Sequence, residues 1–219
     1  MAKYPIFLEL AGRRVVVIGA GAVALKMAQT LLSAKARLVV VSKNIDDMLT
    51  TLRHNTNVEL VKSKYSKDYL AGAVLAIAAT ANPQLNRQIY KDCQQLEILC
   101  NVVDEPDLCD FITPAVVKRG SLQIAIGTEG HCPAYTGHLR KKLKQLFTDE
   151  HGKFLEELKR LRKRVVEDVA DAADRKAVLG KLVDDKSFDF FIKNGPAQWQ
   201  KYADKLISEA KQNHTLKNG

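Results

Sequence analysis

Two stretches in the first half of the chain carry residue types and spacings suited to chemistry. One is Arg13-Arg14-Val15-Val16-Val17-Ile18-Gly19-Ala20-Gly21-Ala22-Val23-Ala24, a β-branched run that enters a Gly-x-Gly-x-x-Ala turn. In a dinucleotide-binding turn the first glycine permits the bend and the second lets a pyrophosphate approach the backbone. A small third residue lets the following helix pack closely on its strand. N–H groups at the helix start then meet the phosphates, where the macrodipole favours anions. The same glycines also suit a turn that serves packing alone. The other stretch is Cys100-Asn101-Val102-Val103-Asp104, which sets a carboxylate just beyond an apolar run. There Asp104 is either a proton acceptor at the crevice of an open sheet or a cap for the turn before Pro106.

The elements that must position these residues alternate in type. Strands are expected over Arg13–Ile18, Arg37–Val41, Val58–Val61, Val74–Ala79 and Leu96–Val103. Helices are expected over Leu25–Ala34, Ile45–His54 and from Pro83 to about Gln95. Continuous apolar runs such as Val74-Leu75-Ala76-Ile77-Ala78-Ala79 fit parallel strands buried on both faces. This alternation predicts an α/β fold, a Rossmann-like doubly wound parallel sheet. Beyond Asp110 the rhythm changes. Phe111–Val117 and Leu122–Ile126 read as two strands joined by a Lys118-Arg119-Gly120-Ser121 turn, suited to a small appended sheet or a dimer contact. Pro133 opens a charged helical remainder, broken at Gly195-Pro196 before a last helix. The expected division is 1–112 for the dinucleotide-binding domain, 113–145 for a dimerisation and substrate segment, and 146–219 for a C-terminal helical domain.

After the second strand the residue that usually holds an adenosine 2′-hydroxyl is a carboxylate, and none occurs before Asp46 and Asp47. Lys43 at this position leans toward a 2′-phosphate, whereas Ser42 or the Asn44 amide suits an NAD ribose.

Composition narrows the classes. The 219 residues carry a net charge of +9, and from Arg140 onward 19 Lys and Arg stand against 13 Asp and Glu. Such a surface attracts polyanions, but much of the charge is of mixed sign on helical segments, as on a solvated face. The basic residues are not interleaved with aromatics, which argues against nucleic acid. No apolar run approaches the roughly 20 residues that span a bilayer, and the start lacks a signal-peptide core, so no membrane role and a cytoplasmic location are expected. Cys93, Cys100, Cys109 and Cys132 have no C-x-x-C spacing and read as small packing residues rather than a disulfide or zinc framework.

Pro5-Ile6-Phe7-Leu8, the glycine turn with Lys26 after it, Ala76-Ile77-Ala78-Ala79-Thr80, Cys100-Asn101-Val102-Val103-Asp104 with Pro106, Phe111-Ile112-Thr113-Pro114-Ala115 and Gly130-His131-Cys132-Pro133 occur in one order. Together, over roughly residues 4–145, they resemble the precorrin-2 dehydrogenases of sirohaem synthesis, stand-alone or as the N-terminal module of sirohaem synthase. The resemblance implies oxidation of precorrin-2 to sirohydrochlorin with NAD as cofactor, a homodimer, and in some members Fe2+ insertion. It implies dinucleotide contacts at Gly19, Gly21, Ala22, Val23, Lys43 and Asn44, with Thr80 and Asn101 as further neighbours, and it aligns Asp104 with the family's key carboxylate. The tetrapyrrole is a polycarboxylate, so Lys118, Arg119, Arg140, Lys141 and Lys142 become candidates for its arms. Many relatives place a small hydroxyl residue before the proline where this chain has Cys132, and a thiol is the poorer hydrogen-bond partner. His131 at the same turn suits a substrate contact, a proton shuttle or a transient Fe2+ ligand, or is a plain loop histidine, and His138 is open in the same way. The alternative from another class is a regulatory NAD(H)-sensing module without catalysis.

Overall fold

The computed structural model describes residues 3–45 and 51–218. It divides into two compact units, Met1–Thr113 and Pro114–Gly219. In the first unit β1 (Arg14–Ile18), β2 (Arg37–Ser42), β3 (Val58–Lys62), β4 (Leu75–Ala78) and β5 (Leu99–Val102) form one parallel sheet in the order β3-β2-β1-β4-β5. The fold is therefore the expected doubly wound α/β class. After Arg14, β1 is apolar because both of its faces are covered. Val16 and Ile18 join a core with Ile89 and Cys93 of helix α2 (Pro83–Gln95), and Val15 and Val17 join another with Ala24 and Ala28 of helix α1 (Ala22–Ser33). Ala24, the third small residue of the glycine turn, is fully buried, as close helix–strand packing requires.

Local chemistry explains the boundaries. α1 starts three residues earlier than its apolar periodicity suggests, because Gly21 is extended and the helix follows at once. α2 opens where Asn82 accepts hydrogen bonds from the Gln84 and Leu85 N–H groups at 3.0 and 3.1 Å, with Pro83 beside it. β5 is shorter than expected because Leu96 caps α2 and Glu97 turns left-handed with φ 55°. Of the helix expected over Ile45–His54, residues 46–50 lie outside the described residues, and Thr51–His54 form turns. Phe111 does not begin a strand. It packs beside the Val15–Val17 core, and pairing resumes only at Ala115.

The second unit contains an antiparallel hairpin, β6 (Ala115–Arg119) and β7 (Leu122–Ile126), then α3 (Pro133–Leu146), α4 (Asp149–Asp168), α5 (Ala172–Leu182) and α6 (Asp185–Asn218). Its core gathers Phe154, Leu161, Val165, Leu182, Phe191 and Trp199, and the Trp199 indole donates to Ser187 Oγ at 2.8 Å. The break expected at Gly195-Pro196 is present as a non-helical Gly195 (φ 80°, ψ 170°) inside α6. Among the described residues no helix is long and apolar enough to cross a membrane.

Gly152 in α4 lies against the hairpin turn so closely that an added Cβ would stand 2.7 Å from the Arg119 carbonyl oxygen. Gly152→Ala is therefore expected to lower the melting temperature. The gain in helix propensity is only about 1 kcal/mol, whereas a backbone clash cannot relax by a rotamer change. A thermal melt at or above that of the wild type would contradict this packing.

Candidate functional site

The glycine turn leaves the carboxyl end of β1, and β1 lies between β2 and β4, where the strand order reverses. Open parallel sheets bind ligands at this switch point. Here a cleft of about 850 Å³ runs along the strand ends. Its lining includes Gly19–Ala24 after β1, Ser42 at the end of β2 with Lys43 and Asn44 after it, and Ser63 and Tyr65 after β3. Ala79–Asn82 after β4, Leu85 of α2, and Val103 and Asp104 after β5 complete it.

The two glycines differ in their tasks. Gly19 has φ 122°, donates its N–H to the Val41 carbonyl at 2.9 Å, and leaves no room for a Cβ against the backbone of Ala79. It lets the ends of β1 and β4 approach. Among the described residues, chain neighbours aside, a Cβ on Gly21 would meet no atom within 4 Å, and Gly21 lines the cleft. Gly21 also precedes α1 without any side-chain cap, and the first turn holds no acidic residue. The first-turn N–H groups of exposed Ala22 and Val23 are thus available to an anion. This open cradle and uncapped helix start fit a dinucleotide pyrophosphate.

Thr80 lines the cleft, but its hydroxyl is engaged, donating to Asn86 Oδ1 at 2.6 Å while the Asn86 amide returns a bond to the Thr80 carbonyl at 3.1 Å. Asn86 is a buried positioning residue that the sequence reading missed. Its signal was a lone amide on the core-facing side of α2, three residues past the Asn82-Pro83 start.

Asn101 is not part of the cleft lining. Its amide donates to the Phe111 carbonyl at 2.9 Å and contacts Cys109 Sγ at 3.4 Å. Together with the Asp110 carboxylate, which accepts from the Cys100 N–H at 2.8 Å, it folds the segment after β5 back onto that strand. Asp104 sits at the start of this segment in the left-handed region, φ 64°. Its side chain reaches solvent, and among the described residues it is the sole carboxylate in the lining and its oxygens take part in no hydrogen bond or ion pair. The turn before Pro106 is therefore not capped by it.

His131, Cys132 and Arg140 belong to the second unit and are exposed, Cys132 preceding α3 without a side-chain cap. Arg119 is engaged elsewhere. Its guanidinium donates to the carbonyls of Phe147 at 2.7 Å and Lys144 at 3.0 Å and pairs with Asp149 at 3.3 Å, so it closes the end of α3 rather than waiting for a ligand. The spacing of a basic turn could not reveal partners that lie a helix away. Among the described residues no three His, Cys, Asp or Glu side chains gather as a metal site.

Sheet order, switch-point cleft and uncapped glycine turn together define a dinucleotide-binding protein of the doubly wound α/β class. Residues 6–115 match a family described as putative NAD(P)-binding, and the chain belongs to that family. The expected cofactor, NAD, falls within that description. Among curated relatives, a siroheme synthase of Psychrobacter arcticus is 38% identical over 153 residues, 70% of this chain and 28% of that protein. A siroheme synthase of Zymomonas mobilis is 33% identical over 221 residues, covering 100% of this chain and 46% of that protein. The chain thus spans less than half the length of these relatives. A solved structure described as SirC, precorrin-2 dehydrogenase, shares the fold with a TM-score of 0.77 at 20% identity, over 93% of this chain and 100% of that one.

Proposed function

We propose that the chain is an NAD-dependent precorrin-2 dehydrogenase that forms sirohydrochlorin in sirohaem biosynthesis. The observation that carries this reading is the placement of Asp104, a carboxylate without a protein partner among the described residues, at the β5 end of the same cleft that holds the glycine turn. The names of the relatives, siroheme synthase and precorrin-2 dehydrogenase, supply the substrate class.

In a doubly wound sheet the β1–β3 half takes the adenosine side of a dinucleotide and the second half the other side. Lys43 and Asn44 then lie at the adenosine ribose, and Asp104 lies near the reacting end. When bound, the dinucleotide supplies the acceptor for the hydride that leaves the reduced tetrapyrrole. Asp104 takes the accompanying proton on a carboxylate oxygen, and the Ala22 and Val23 N–H groups hold the pyrophosphate. Arg140, His131 and Cys132 are proposed to meet the substrate, with arginine suited to a carboxylate arm. We also read the chain as a homodimer. α3 buries none of its residues and leaves Tyr135 and Leu146 more than half exposed, which suits self-association.

The test is an anaerobic assay of precorrin-2 with NAD or NADP, following reduced nucleotide and the sirohydrochlorin spectrum. Turnover with NAD is expected, and well-folded protein that binds NAD without turnover would favour the sensing module instead. NAD is expected to outperform NADP, since Lys43 shares the ribose end with the neutral Ser42 and Asn44. A clear NADP preference, lost in Lys43→Ala, would reverse that assignment. Adding Fe2+ to sirohydrochlorin reads chelation separately.

A further inference from the structure

At the adenosine half of the cleft stands a residue to which neither the glycine turn nor the proposed chemistry gives a role. Tyr65 follows β3, lines the cleft, and also packs against the Val16–Ile18 core, so its ring lies between ligand space and protein interior. Its hydroxyl donates to Asp92 Oδ2 at 2.8 Å. Asp92 is only 6% exposed, and its other oxygen accepts from the Gln88 side-chain amide at 3.0 Å. Among the described residues no Lys or Arg pairs with it. Burial first, and then the neighbouring Asp92 carboxylate, push the Tyr65 phenol upward, so the hydroxyl remains a donor throughout the ordinary pH range.

A buried carboxylate without a cation is costly to keep. A leucine would fill the same place on α2 at lower cost if packing were its whole purpose. What this carboxylate does is hold one aromatic ring from behind. Ser63 on the same connection also lines the cleft. An aromatic ring that lines the cleft on the β3 side and is fixed at its hydroxyl suits a purine base, because every base presents a π-face for stacking.

We infer that Tyr65, locked from behind by Asp92, forms the wall of the adenine subsite and that the Tyr65–Asp92 pair determines affinity for the adenosine half of the cofactor. This rests on nucleotide binding in the cleft and not on the dehydrogenase reaction. Tyr65 is a binding residue in this scheme and Asp92 a positioning residue.

Calorimetric titration of the full chain with NAD and with ADP-ribose tests it, with thermal melts alongside. Tyr65→Ala is expected to weaken both ligands by the same factor, about tenfold, the size of one lost base–aromatic stack. Tyr65→Phe keeps the ring but frees it, and a smaller loss of about threefold for both ligands is expected. Asp92→Asn keeps an acceptor for the hydroxyl and is expected to bind both ligands as the wild type does, whereas Asp92→Leu should match Tyr65→Phe. In steady-state assays Tyr65→Ala should raise KM for NAD and leave kcat near the wild-type value. Folded Tyr65→Ala protein with unchanged affinity for both ligands would overturn the inference. Weaker NAD with unchanged ADP-ribose would overturn it too, by moving Tyr65 to the other half. If Tyr65→Ala does not fold, Tyr65→Phe and Asp92→Leu decide on the same criterion. Wild-type protein that binds neither ligand would instead refute the nucleotide reading of the cleft.

Discussion

Asp104→Asn is expected to bind NAD within about twofold of the wild type and to lose at least ~100-fold in precorrin-2 turnover, the usual scale for removing a general base. Asparagine is the discriminating substitution because the backbone at this position is left-handed, φ 64°. Asn tolerates that region about as well as Asp, whereas Ala there adds a conformational cost of about 1–2 kcal/mol. The carboxylate makes no hydrogen bond among the described residues, so the exchange removes a proton acceptor and no protein contact. Asp104→Ala should likewise retain NAD binding and lose turnover, with a modest fall in stability. Binding measured by calorimetry and turnover measured anaerobically separate the two effects. Full turnover in Asp104→Asn would remove Asp104 from the reaction and leave its strained backbone without a functional reason.

Exchanges at Gly19 and Gly21 are expected to fail in opposite ways. Gly19→Ala places a Cβ into the Ala79 backbone at φ 122°. Neither the strand end nor the turn can yield, and a loss of stability of roughly 3 kcal/mol or more is expected. Gly21→Asp places its side chain in open space at the N-cap of α1, where aspartate is among the best capping residues. The fold should melt at or above the wild-type temperature. Yet the new carboxylate occupies the N–H groups that the pyrophosphate needs and repels its charge, so NAD affinity should fall at least ~100-fold. Equal melting losses in both variants would mean that the turn serves packing alone. Retained NAD binding in Gly21→Asp would move the phosphates away from α1.

Local rules account for what could be read in advance. The apolar runs of β1, β2 and β4 announced strands buried on both faces, and Pro83 announced the start of α2 by its fit to the first helical position. The small residue Ala24 announced close packing of α1. Where reading failed, the deciding partner was distant in sequence. Arg119 looked like a free cation on a turn, but Lys144 and Phe147 end a helix directly beside it. Asn101 stood in the motif that ends at Asp104 and looked like a cofactor contact, but its amide holds the carbonyl of Phe111. Phe111 looked like the first residue of a strand and is an apolar contact for the first core. Tyr65 drew no notice, because an aromatic on a connection is read as packing unless Asp92 is known to stand behind it.

Sequence alone determined the alternation of strand and helix, the need for glycine at Gly19, and the position of Asp104 just past an apolar run. These follow from backbone sterics and from burial on two faces, which act over a few residues. Tertiary structure decided that β4 and β5 lie beside β1, opposite β2 and β3. Only that order brings Asp104, Tyr65 and the glycine turn onto one cleft, because the pairing partners of a parallel strand lie beyond a crossover and no local pattern specifies them.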